Sequence, residues 1–107
     1  MPKFLIKASY STQGIKGVMS DGGTGRADAV GKAIAGVGGQ MESFYFSFGT
    51  DDVYIVADLP DNKAAIAMAA TVGSTGALSN YETVVLLEPS EIDQALRESV
   101  DYRPPGG

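Results

Sequence analysis

Apolar and polar positions alternate from Lys3 to Tyr10, with Phe4, Ile6 and Ala8 on one side and Leu5, Lys7 and Ser9 on the other. A period of two sends successive side chains to opposite faces of a strand, so this segment predicts a first strand, β1, bounded by Pro2 and by the turn-prone Ser11 and Thr12. From Ile15 the apolar spacing changes to Ile15, Val18, Met19, Ala27, Val30, Ile34 and Val37, the rhythm of three and four that lays one stripe along a helix. This is α1, with Gly22 and Gly23 as a point of breakage and Gly38 and Gly39 as its end. Alternation returns from Gln40 to Phe48 as β2, with Phe44, Phe46 and Phe48 opposed to Ser43, Tyr45 and Ser47.

The short stretch Gly49-Thr50-Asp51-Asp52 leads directly into Val53 to Leu59, so β2 and β3 form a hairpin, and Pro60 stops the second strand. Asp61 is placed to cap α2, an Ala-rich helix from Ala64 to Val72 that ends near Gly73 or Gly76 and is apolar on nearly every side. The last strand, β4, covers about Ser79 to Leu87. Ser90, with Asp93 three residues on, predicts the cap of a short α3 that carries Ile92 and Leu96 on one face. A tail, Asp101 to Gly107, follows.

The order βαββαβ plus a C-terminal helix is the split βαβ pattern of a ferredoxin-like α+β fold. Right-handed crossovers then give a four-stranded antiparallel sheet in the order 4-1-3-2, with both main helices on one face. Parity assigns Phe4, Ile6, Phe44, Phe46, Phe48, Val53, Ile55, Val84 and Leu86 to the side beneath the helices. The other face receives Leu5, Lys7, Ser9, Met41, Ser43, Tyr45, Tyr54, Val56, Asp58, Tyr81, Thr83 and Val85. That face is too apolar and aromatic to stay wholly in water, and its Lys and Asp residues suit a partner surface or a lined cavity.

Composition narrows what such a face could do. A chain of 107 residues, 44% hydrophobic and 20% charged, has the balance of one folded domain spanning 1–107. A net charge of -5, with only 8 Lys and Arg scattered along the chain, argues against nucleic acid and anionic membrane surfaces as partners. No apolar run approaches the roughly 20 residues of a spanning helix, and the N-terminus reads straight into a strand, so a cytoplasmic location is expected. The chain has no Cys and no His. Disulfides, thiol nucleophiles, thiolate and imidazole metal sites and the usual general base are thereby absent. No metal and no cofactor are expected.

Four segments carry a family resemblance: KFLIKASYSTQGIKG at the start, GG…AVGKAIAGVGG in the first helix, FYFSFGTDDVYIVADLPDN through the hairpin, and VVLLEPSEIDQAL…VDYRPPG at the end. Together they resemble the GYD domain family, a group of small bacterial proteins, over essentially the whole chain. The resemblance implies a ferredoxin-like fold of the dimeric α/β-barrel type and implies no activity. Within the Gly, Tyr, Asp pattern that names the family, Gly49 and Asp52 match while Asp51 stands in place of the Tyr. No role of that Tyr carries over.

Three features invite a chemical reading. The stretch Asp21-Gly22-Gly23-Thr24-Gly25-Arg26 has an anion-binding flavour, with free backbone N–H groups and Arg26, but it lacks the Lys-Ser/Thr of a phosphate loop and reads better as a helix kink. Adjacent Asp51 and Asp52 point to opposite sides of an extended chain, so turn chemistry is expected of them rather than a paired-carboxylate site. Lys7, Tyr45, Tyr54, Asp58 and Tyr81 share one sheet face by parity, and Lys7 and Asp58 are expected within about one diagonal pair, some 7–8 Å.

Two functions of different class follow. The first is a non-catalytic homo-oligomer that assembles, or holds a small, partly apolar ligand, through that face, with Lys7 and Asp58 as an ion pair under the tyrosines. The second is a cofactor-independent isomerase or proton-transfer enzyme acting on a small organic or aromatic acid, with Lys7 or a Tyr hydroxyl polarising a carbonyl and Asp58 accepting the proton. In either, Tyr102, Arg103, Pro104 and Pro105 are expected to pack on a second copy near the rim of its sheet as a clasp, the prolines lowering the entropy lost on ordering.

Overall fold

The computed structural model describes residues 1–107. Its elements run β1 (Lys3–Tyr10), α1 (Thr12–Gly36), β2 (Gln40–Phe46), β3 (Val53–Asp58), α2 (Asn62–Gly73), β4 (Leu78–Leu86) and α3 (Pro89–Ala95). The four strands form one antiparallel sheet in the order β2-β3-β1-β4, which is the expected ferredoxin-like topology.

Phe4, Ile6, Ala8, Val53, Ile55 and Ala57 alternate inward from the two central strands, and most of them join Ile34 of α1 and Ala65 and Met68 of α2 in one buried cluster. Both helices therefore cover the same sheet face. α1 packs on β1 and β2 and α2 on β4, while the two helices make little contact with each other. The core is small.

Local chemistry sets the helix ends. Ser11 accepts the Gly14 N–H at 3.1 Å on its hydroxyl and starts α1, and Asp61 accepts the Ala64 N–H at 2.9 Å and starts α2. Gly22, at φ 79° and ψ 162°, interrupts α1 with a backbone conformation that residues bearing a Cβ avoid, so the Gly-rich stretch is a kink. Beyond the kink the expected stripe is kept by Val30 and Ile34, but before it Ile15 and Met19 lie exposed. For α3 the expected cap at Ser90 is replaced by Glu88, whose N–H donates to Glu91 Oε1 at 3.2 Å, with Pro89 in the first helical position. Proline favours that position because its missing N–H has no partner there in any helix.

Three expectations about facing are corrected. The register opposes Phe4 to Val85, Ile6 to Thr83 and Ala8 to Tyr81, so Tyr81, Thr83 and Val85 lie on the helix side and Val84 and Leu86 on the open side. In β2 a register shift between Met41 and Ser43 inserts one residue, turning Met41 to the helix side opposite Ala57. The strand also ends at Phe46, where Ser47 N–H bonds Asp52 O at 2.8 Å and closes the hairpin loop. Phe48 falls in that loop and is fully exposed instead of entering the core.

No helix is long and apolar enough to cross a membrane. From Leu87 to Gly107 every residue is exposed, including Leu87, Ile92, Leu96, Val100 and Tyr102. The radius of gyration is 17.1 Å against about 13 Å for a compact chain of this length, so this segment projects as an arm.

Candidate functional site

The open sheet face is crossed by two rows of charged residues with an apolar strip between them. In the first row β-pairing sets Tyr45 against Tyr54, Tyr54 against Lys7, and Lys7 against Glu82. The second sets Gln40 against Asp58 and Asp58 against Lys3. Leu5, Val56 and Val84 oppose one another between the rows. Lys7 and Asp58 thus stand four residues apart along neighbouring strands, about 13 Å, too far for the expected contact.

Each takes another partner. Asp58 Oδ1 accepts from Lys3 Nζ at 3.0 Å, and Lys3 also pairs with Glu42, the residue inserted at the β2 bulge. Lys7 Nζ lies 3.8 Å from Asp51 Oδ2 and 3.7 Å from Glu82 Oε1. Of the five residues that parity was expected to gather, Lys7, Tyr45 and Tyr54 share a row, Asp58 sits in the next row, and Tyr81 is on the opposite side of the sheet. The expected acid and base, Lys7 and Asp58, do not converge.

Asp51 was not expected in this group, yet it is the one buried acidic residue, 4% exposed. Its Oδ1 accepts from Ser9 Oγ at 3.2 Å and from Asn80 Nδ2 at 3.4 Å. Asp52 turns the other way and accepts the Tyr10 backbone N–H at 2.9 Å, while its own N–H donates to Ala8 O at 2.9 Å. The two acids, both in the bend of the hairpin loop, turn to opposite sides and tie that loop to the end of β1. No three His, Cys, Asp or Glu side chains come together as a metal site requires.

On the helix side, Tyr81 comes together with Tyr10 and Arg26 around a cavity between α1, α2 and the sheet. Tyr10 was not among the expected site residues, although parity along β1 places it with Ile6 and Ala8. No such signal shows that the helices stand apart above it. Burial pushes the Tyr10 hydroxyl above its ordinary value against the lowering pull of the adjacent Arg26 guanidinium, and burial likewise raises Tyr81. Lys3 is raised by its hydrogen bond to Glu42 and then by that to Asp58.

All three folded-state values are raised, so each group contributes stability that is complete below its unfolded value and is lost as pH climbs through the folded one. Stability is expected to fall above pH 10.0, where free tyrosine ionises. Tyrosinate absorbance should show a late-titrating fraction in the folded chain that disappears in denaturant. A single titration step, identical with and without denaturant, contradicts the burial of these two hydroxyls.

No curated protein and no solved structure matches the chain. The GYD domain profile matches residues 4–96, from β1 through α3, and so the chain belongs to the GYD domain family.

Proposed function

We propose that the protein is a non-catalytic homo-oligomeric module that assembles through its open sheet face, each copy laying its C-terminal arm on its neighbour. The exposed arm carries this reading. Leu87, Ile92, Leu96, Val100 and Tyr102 are large apolar or aromatic residues with no cover in the single chain, and a soluble protein rarely leaves so many together in water. The same chain offers a receiving surface in the strip of Leu5, Val56 and Val84, extended by Tyr54 and by Tyr45, which is mostly exposed.

A twofold exchange satisfies both surfaces at once, since in an isologous pair whatever one copy offers the other accepts. Lys3 and Lys7 are each paired within their own chain with two acids, so the sheet presents a half-apolar surface of mixed charge with an acidic excess. Tyr102, Arg103, Pro104 and Pro105 form the outer end of the arm and would act as the clasp at the partner's rim. A small, partly apolar ligand held between the two sheets fits the same reading, as does a cytoplasmic location for a chain without cysteine.

Light scattering on the full chain and on a chain lacking Asp101–Gly107 tests the clasp. The full chain is expected at a multiple of 11.1 kDa, and the shortened chain at a lower mass or with a lower melting temperature. A full chain that runs as a single copy at millimolar concentration sinks the assembly. An unchanged mass and melting temperature after the deletion sinks the clasp alone.

A further inference from the structure

The cavity beneath the helices is about 130 Å³ and is lined by 14 residues, of which 13 are hydrophobic. Phe44, Tyr81 and Tyr10 supply aromatic walls, Met68 a polarisable thioether, and Arg26 the only charge. Apolar cavities of about 150 Å³ stay dry and take up a benzene ring, so this volume suits one six-membered ring and little more. Aromatic edges and a thioether are favourable neighbours for such a ring.

Its opening has a different character. Tyr10 and Arg26 belong both to the apolar cavity and to an adjoining shallow polar groove with Gln13, Asp21 and Thr75, so they stand at the boundary between the two. Arg26 is weakly committed there: its one ion pair, to Asp21 Oδ2, is 3.5 Å long and both side chains are partly exposed. A guanidinium has five N–H donors in a fork that matches a carboxylate, and here they meet only the long contact to Asp21 and the neighbouring Tyr10 hydroxyl. An apolar bore of ring size bordered by one weakly paired cation and a phenol is complementary to a molecule with the opposite arrangement.

We propose that this cavity binds an aromatic monocarboxylate of about the size of benzoate, with its ring against Phe44, Met68 and Tyr81 and its carboxylate held at the rim by Arg26 and Tyr10. Inorganic anions would gain nothing from the apolar lining. Dianions meet Asp21 and Asp52, whose charges flank the rim. The site lies on the side of the sheet opposite the assembly surface and goes beyond the proposed function: it holds whether or not copies associate.

Benzoate itself, titrated into the full chain at neutral pH and followed by the methionine methyl resonances, is the test. Saturable movement of Met68 is expected while the exposed Met19 stays fixed. Arg26→Gln is expected to weaken benzoate by about tenfold or more, because a charge-assisted fork is lost, and to leave the weaker binding of benzyl alcohol unchanged. Asp21→Asn should tighten benzoate by roughly twofold to threefold by freeing the guanidinium from its exposed competitor.

Arg26 lies at the surface of its helix, and a matching melting temperature shows that Arg26→Gln still folds. Should it not, Arg26→Lys keeps the charge without the fork and is expected to lose several-fold in affinity. No Met68 movement at tens of millimolar benzoate overturns the proposal. So does equal movement with acetate, or benzoate affinity indifferent to Arg26. Met68 movement that follows protein concentration instead of benzoate would mean that a second copy fills the cleft, and also overturns it.

Discussion

A single methyl group added at Gly14 is expected to prevent this chain from folding stably. A Cβ there would lie 1.9 Å from Ala77 O and 2.8 Å from Ala77 C, which is backbone and cannot rotate away. Nor can the carbonyl yield, because Ala77 O accepts the Ser11 N–H at 2.9 Å and Ser11 in turn caps α1 through Gly14 N–H. The first turn of α1 and the entry to β4 would have to separate, breaking the cap and the contact that joins them. Overpacking of this kind costs about 3 kcal/mol or more, a large part of the total stability of a small domain.

Gly17 lies three residues further along the same helix and supplies the control. Nothing lies within 4 Å of a Cβ built there, so Gly17→Ala is expected to stabilise by up to about 1 kcal/mol through helix propensity alone. Denaturant midpoints for the two variants should therefore move in opposite directions. Equal midpoints would mean that α1 does not seat against the start of β4.

How far the sequence could reveal this structure depended on contrast. β1 and β3 alternate cleanly, because Lys7, Ser9 and Asp58 cannot share a side with Phe4, Ile6 and Ile55, and their facing follows without ambiguity. The run Thr83-Val84-Val85-Leu86-Leu87 gives no such contrast. With apolar residues on both sides of β4, its facing is decided by pairing with β1, and that placed Tyr81 under the helices.

The bulge at Glu42 is equally invisible to periodicity, since one inserted residue looks like any other until its partners are known. The cavity required knowing how far apart α1 and α2 stand, a distance no local pattern encodes. Charges were the least legible of all: the sequence brought Lys7 towards Asp58 because both share a face, whereas register decided which lysine met which acid. Composition fared better, since the absence of Cys and His holds whatever the fold.

Asp51 gives the sharpest energetic test of that register. Its carboxylate is buried between β1 and β4 at the mouth of the hairpin loop, accepts from Ser9 Oγ and Asn80 Nδ2, and faces Lys7 Nζ at 3.8 Å. Replacing it by Ala takes the shared acceptor from all three, although Ser9 Oγ keeps Thr50 O and Lys7 keeps Glu82. A buried charge pair broken on one side costs about 3–5 kcal/mol, and because Lys7 retains 28% side-chain exposure and can turn to water or to Glu82, about 2–3 kcal/mol is expected for Asp51→Ala. Lys7→Ala is expected to cost a comparable amount, because it leaves the buried Asp51 carboxylate with two neutral donors and no cation. In a double-mutant cycle the Lys7 and Asp51 substitutions should couple by about 1 kcal/mol, as partners in contact do. The Lys7 and Asp58 substitutions should add within about 0.5 kcal/mol, because roughly 13 Å and a strip of apolar side chains separate them. Coupling between Lys7 and Asp58, with none between Lys7 and Asp51, would mean that β1 and β3 pair in a different register, and both the open face and the cavity beneath it would have to be rebuilt.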